Sequence, residues 1–328
     1  MKPLLPLGLL VSGLLAATAF FVSIYKAGGL TSLAPVPGPA LVYHFSLYLP
    51  DSRNSFFAGI IRGAEQAAAE LNSAVSVHSI DPAKNELETA AYTGVDGVVV
   101  CPYLEDALAR RQLERLRERQ IPVVLINHNI PGDQPWPFIG TNNYDMGRRI
   151  GLVSLEQRPG GAKGPLRLAL VYSDKAPGIY AERELMEMGI AAALGNRLSG
   201  PIMHFRTNLN PLDAEALLYR LFRKAPAEPG LDINTIVFTD PTDTIAAAQT
   251  LVDMNMVGRI RVIGFGADPE IAENVRKGVV SCTVVIDSER IGYEALRSLA
   301  ALRTTGYTSA SIDTGIDIIT AGSLREKR

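Results

Sequence analysis

The chain has 328 residues, of which 47% are hydrophobic and 20% charged, a length that suits about two domains of ordinary size. Its 32 basic and 34 acidic residues leave a formal net charge of -2, so there is no global basic field to attract nucleic acid. Two cysteines, Cys101 and Cys282, and four histidines, His44, His78, His128 and His204, fall in no CxxC or metal-ligand spacing, and neither a metal nor a cofactor is expected.

No charged residue occurs between Leu4 and Tyr25. About 22 residues at ~1.5 Å rise would cross a hydrocarbon core of ~30 Å, so residues 1–26 are expected to be a membrane anchor or a signal segment. Ala17, Thr18 and Ala19 form an AxA cleavage site, but the apolar run continues through Phe20, Phe21, Val22 and Ile24, which favours an uncleaved anchor with Lys2 inside. Either outcome places the remainder outside the cytoplasm. Residues 27–40, AGGLTSLAPVPGPA, lack charge and periodicity and read as a linker.

The folded part is expected to begin at Leu41. Leu41, Val42, Phe45, Leu47 and Tyr48 form an apolar run of strand length that stops at Pro50 and Asp51. From Ser55 the period becomes helical, through Phe57, Ile60, Ile61 and Ala64. The loop between them carries Asn54, followed by Phe56 and Phe57: an amide beside two flat apolar faces, at the carboxyl end of a strand, where open parallel sheets bind ligands. That surface suits a small polar ring.

A strand from Val75 to Ser79, a helix from Asp81 to Tyr92 and a strand from Val98 to Cys101 are expected next. The helix 104–120 is strongly charged, with Leu104, Leu108, Leu113 and Leu116 inward, and precedes a buried strand from Ile121 to Asn127. The pattern restarts after Phe138 to Thr141. Helices are predicted at 143–157, 179–195, 211–224, 242–255, 268–277 and 287–304, alternating with strands at 166–172, 202–206, 235–239, 260–265, 280–286 and near 316–320. This order implies an α/β chain of two doubly wound parallel-sheet lobes. There is no GxSxG, HExxH or Walker loop, and GFGAD lacks the third glycine of a dinucleotide fingerprint, so no catalytic residue is assigned and an enzyme is not expected.

The ordered series PDSRNSFFAGIIRGAEQAAAEL, DPAKNELETAAYTGVDGVVVCP, IPVVLIN, FIGTNNYDMGRRIG, VIGFGADPEIAENVRKG and IGYEAL resembles the ribose-type (type 1) periplasmic binding proteins and the effector domains of the related repressors, over residues 41–322. A membrane segment in place of a DNA-binding headpiece argues against a repressor. The resemblance implies two similar lobes joined by three crossing segments, the first made of 41–141 plus 287–315 and the second of 142–286 plus 316–322, with a ligand in the cleft between them.

Residue by residue, Asn54, Phe56 and Phe57 match the family's sugar-contacting NPFF loop, with Ser55 for proline. Phe265 keeps the aromatic in a GFG that replaces the usual GFD, and Asp240 and Asp243 lie in FTDPTD, where the family places a polar side chain at a strand end. Asn127 and His128, expected to hydrogen-bond the ligand with Asn54 and Asp240 while Phe56 and Phe265 stack on it, stand where sugar binders commonly have aspartate then arginine, Gly266 where a second aspartate belongs, and Ile286 near the usual glutamine. Met186 replaces the family arginine, with Arg183 one turn away. Bland readings stand beside these: Phe57 as core, and Asn54, Asp240 and Asp243 as helix caps. The function implied is an extracytoplasmic solute-binding protein that captures a small polar ligand, a sugar or polyol, and presents it to an ABC transporter permease. The alternative is a membrane-anchored sensor subunit that signals to a histidine kinase or receptor.

Overall fold

A computed structural model describes residues 42–50, 55–80, 86–102, 106–130, 132–133, 135–156, 164–173, 179–208, 210–222 and 233–326. The predicted anchor and linker lie outside them. Among the described residues no helix is long and apolar enough to cross a membrane.

The first lobe is built on β1 (His44–Leu49), β2 (Ala74–Ser79), β3 (Gly97–Val100), β4 (Val123–Ile126), β5 (Phe138–Gly140) and β11 (Ser311–Asp313). These strands form one sheet in the order β11-β5-β4-β3-β1-β2, parallel throughout. The two-residue period of β1 sends Phe45, Leu47 and Leu49 to one face, where α1 (Ser55–Glu70) and α9 (Ser288–Thr305) cover them, and Tyr48 to the other. That second face is covered by α2 (Glu86–Ala90) and α3 (Asp106–Glu118), which bury Leu87, Leu113 and Leu116. Residues 81–85 of the predicted helix before Gly94 lie outside the described residues.

The second lobe repeats the plan. Its sheet runs β12-β10-β9-β8-β6-β7, from β6 (Leu168–Ser173), β7 (Met203–Thr207), β8 (Thr235–Phe238), β9 (Arg261–Phe265), β10 (Cys282–Ile286) and β12 (Ile316–Thr320). One face packs on α4 (Asn143–Glu156) and α5 (Ile179–Leu194) through Ile150, Val153 and Ile190. The other packs on α6 (Pro211–Phe222), α7 (Pro241–Asp253) and α8 (Pro269–Arg276) through Leu218, Leu251 and Val275.

Two features depart from the predicted alternation. The strand β11 was not anticipated, and β12 is antiparallel to β10, pairing Cys282 with Thr320 and Ile286 with Ile316. Only Thr314 and Gly315 separate β11 from β12, far too few for the crossover that a parallel return requires.

Each lobe also seats one helix pair on glycines. A Cβ on Gly63 of α1 would overlap the carbonyl oxygen of Glu289, and one on Gly292 of α9 would overlap that of Ile60. Gly147 of α4 and Gly189 of α5 meet the carbonyls of Met186 and Tyr144 in the same reciprocal way. The backbones approach more closely than side chains allow.

Three segments pass between the sheets: Thr141 with Asn142, Asp287, and Thr314 with Gly315. They are tied to one another. Asp313 Oδ1 accepts the N–H of Asn142 at 3.2 Å and of Gly315 at 2.9 Å. Thr314 donates its N–H to the Gly140 carbonyl at 2.9 Å, and Arg290 reaches the Thr314 carbonyl at 3.4 Å from α9.

Candidate functional site

The predicted site residues come from the carboxyl ends of the strands and the helices that follow. Asn54 lies outside the described residues. Phe56 and Phe57 open α1, with ring centroids 5.3 Å apart and planes at 75°, and both are half-buried against the first lobe's core. Asn127 follows β4 with φ 61°, a left-handed conformation that asparagine tolerates, and its N–H donates to the Ile139 carbonyl at 3.0 Å. The turn folds His128 inward: it is 5% exposed, and its Nε2 lies 2.8 Å from Asp106 Oδ1 at the start of α3. The imidazole is thus anchored to a helix N-terminus.

On the second lobe, Arg183 of α5 donates to the Tyr172 hydroxyl at 2.9 Å and lies 5.1 Å from that ring's centroid. Arg206 of β7 donates Nε–H to the same oxygen at 3.2 Å. The two guanidinium groups fix the buried Tyr172 near the end of β6.

Asp240 caps α7, its Oδ1 accepting from the N–H groups of Thr242 at 2.7 Å and Asp243 at 3.3 Å, with Pro241 opening the helix. Burial raises its pKa, and the charge of Asp268 adds to the effect. Asp243, fully buried, accepts from the Thr207 hydroxyl on β7. Burial pushes its carboxyl up to about 6, the Asp240 and Asp213 charges adding to the shift. The FTDPTD pair therefore splits: Asp240 stays at the end of β8 while Asp243 turns to β7.

Phe265 ends β9 half-buried, its N–H donating to Thr244 Oγ1 at 3.0 Å, and that hydroxyl donates to the Asp240 carbonyl at 2.8 Å. Gly266 follows with φ 104°, its carbonyl accepting from Thr283 Oγ1 at 2.8 Å. A Cβ at this position would sit 2.8 Å from Pro241 Cγ and 3.1 Å from Asp268 Oδ2. Asp268 was not singled out from the sequence, where an aspartate before Pro269 reads as a helix cap. The structure sets it beside Asp240 and Phe265, at the neighbouring ends of β8 and β9. Ile286, at the end of β10, packs against the cores of both lobes.

Among the described residues no group of His, Cys, Asp and Glu could hold a metal ion. The arrangement offers aromatic faces and hydrogen-bonding groups at strand ends on two lobes tied by crossing segments, the outline of a two-lobed binding protein. A sequence model of the periplasmic binding protein domain matches residues 45–306. The chain belongs to the periplasmic binding protein family, whose members bind ligands and are not enzymes. No curated protein sequence matches it.

Solved structures agree on the fold. The chain is similar to GanP, a glucose-galactose binding protein from Geobacillus stearothermophilus, with a TM-score of 0.74 and 23% identity over 86% of this chain and 98% of that one. It is similar to a myo-inositol binding protein from Caulobacter bound to myo-inositol, with a TM-score of 0.73 and 22% identity over 87% and 95%. A carbohydrate transporter solute binding protein from Agrobacterium radiobacter, in complex with D-arabinose, scores 0.74 at 18% identity over 87% and 96%.

Proposed function

We propose that the protein is an extracytoplasmic solute-binding protein that takes a small polar ligand, a sugar or polyol, between its two lobes and presents it to an ABC transporter permease. One observation carries the reading: Phe265, half-buried at the end of β9, is joined to Asp240 at the neighbouring end of β8 through Thr244, whose hydroxyl accepts the Phe265 N–H at 3.0 Å and donates to the Asp240 carbonyl at 2.8 Å, so an aromatic residue and an acceptor share one strand-end region. The sugar and polyol ligands named for GanP, the Caulobacter protein and the Agrobacterium protein support the ligand class.

In this reading the lobes are 41–141 plus 287–315 and 142–286 plus 316–322. The ligand is stacked by Phe56 and Phe265 and hydrogen-bonded by Asn54, Asn127 and Asp240. His128 adds a further hydrogen bond to the ligand, and Phe57, Arg183 and Asp243 complete the candidate site, with His128, Arg183 and Asp243 engaged in the free protein with Asp106, the Tyr172 hydroxyl and Thr207. Residues 1–26 carry the chain across the cytoplasmic membrane, and the apolar run beyond Ala19 favours retention as a tether. That tether also suits the second reading, a ligand-sensing subunit beside a histidine kinase or receptor.

The test is a thermal-shift screen of the full chain against sugars, polyols and nucleosides. A ligand at ~100 times its dissociation constant adds ~2.7 kcal/mol, a shift of several degrees. Stabilisation abolished by Asn54→Ala is the expected result, and no response to any sugar or polyol refutes the reading. Cell fractionation separates carrier from sensor: a shortened, soluble chain argues for the carrier.

A further inference from the structure

We infer that Thr244 is a positioning residue for ligand binding: its one hydroxyl fixes the spacing between Phe265 and Asp240, and so sets an aromatic ring and an acceptor for the same ligand before it arrives. The inference rests on the proposed solute-binding role and adds to it a residue that touches no ligand.

Thr244 closes the first turn of α7 and is fully buried. Its N–H reaches the Asp240 carbonyl at 3.1 Å as an ordinary helical bond, and its hydroxyl donates to the same oxygen at 2.8 Å. That second bond uses the hydroxyl's only hydrogen and leaves its lone pairs for the Phe265 N–H, 3.0 Å away. The ladder between β8 and β9 stops at Val237 and Ile263, two residues short of Phe265. The threonine hydroxyl supplies the acceptor that the strand no longer offers.

The end of β9 is fitted to this contact on both sides. A Cβ on Gly264 would stand 2.5 Å from Thr244 Cγ2, so glycine lets the helix come close enough for the bond. From β10, Val284 accepts the Gly266 N–H at 2.9 Å, and the buried Thr283 donates its hydroxyl to the Gly266 carbonyl at 2.8 Å. The backbone at Phe265 and Gly266 is thus held between two buried threonines, and of the two only Thr244 also holds Asp240. Groups fixed relative to one another before binding lose little freedom when the ligand arrives, which raises affinity.

The experiment is titration calorimetry, beside thermal melts, of the full chain and its variants with D-glucose, D-galactose, D-arabinose and myo-inositol as probes. Thr244→Val keeps the shape and removes both hydroxyl bonds. It is expected to weaken a bound probe about tenfold, and Thr244→Ser, which restores the hydroxyl, to recover most of that loss. Gly264→Ala leaves the hydroxyl present but pushes it aside, should weaken binding in the same direction, and serves if the valine variant fails to fold. A double-mutant cycle separates positioning from general loosening: added to Phe265→Ala, Thr244→Val should cost clearly less than it does alone, because no ring remains to be placed. An undiminished loss in the Phe265→Ala background, or native affinity in Thr244→Val, overturns the inference and leaves the solute-binding role standing. Binding of no probe by the native chain overturns that role, and the inference falls with it.

Discussion

The carboxylate of Asp313 accepts the backbone N–H of Asn142 at 3.2 Å, joining two of the three segments that pass between the lobes. The same oxygen holds Gly315 at 2.9 Å, so one side chain sets the spacing of both crossings. Asp313→Ala is expected to cost about 0.5–1.5 kcal/mol in stability and to speed hydrogen exchange at Asn142 and Gly315, while Asp313→Asn, which keeps an acceptor, loses less. Equal exchange in all three proteins would remove the joint role.

The pH dependence of stability follows from Asp243. Burial pushes its native carboxyl up to about 6 from the ordinary 3.8 it has in the unfolded chain, so the native state binds more protons between these values. Stability therefore falls as pH rises from about 4 to about 6 and is level above, a change of at most ~3 kcal/mol. Asp243→Asn is neutral and can still accept from Thr207. It should flatten most of that slope in melting temperature against pH, with Asp240, shifted in the same direction, contributing what remains.

Helix seating on glycine gives a prediction about packing. Gly292→Ala puts a methyl into the Ile60 carbonyl, and Gly189→Ala puts one into that of Tyr144. Each is expected to destabilise by roughly 1–3 kcal/mol in urea titration, because backbone must move to admit the new atom. Glycine to alanine at Gly278, where φ is 73° and a Cβ meets nothing within 4 Å, isolates the purely conformational part of such a change.

Phe265→Ala separates recognition from folding. The ring is half-buried, so its removal should cost less stability than truncating the fully buried Phe238 of the same lobe. In the proposed role it weakens ligand binding by about tenfold through lost stacking. Titration calorimetry beside thermal melts reads both effects.

The fold was legible wherever period and length agreed. The change of period at Ser55 marked the β1 to α1 passage, and the apolar runs at residues 123–126 and 262–265 read as buried strands. β11 was not legible because Ser311–Asp313 is a short, largely polar stretch whose one apolar residue, Ile312, shows no period, and it is placed by pairing with β5. The direction of β12 leaves no trace in its own residues, since parallel and antiparallel strands share a period. At the site, Asp240 and Asp243 looked equivalent in FTDPTD, but one helical turn sends the second to Thr207. Asp268 was concealed by Pro269, which makes any preceding aspartate look like a cap.

The placement of β11 and β12 also has a consequence for the order of synthesis. The first sheet starts at His44 but receives its edge strand only from Ser311–Asp313, and the second receives its own from Ile316–Thr320. Until those residues leave the ribosome, each lobe presents an open sheet edge where its last strand belongs. Both sheets therefore take an edge strand from one continuous segment, Ser311–Thr320, and the two lobes are completed by a single stretch of chain.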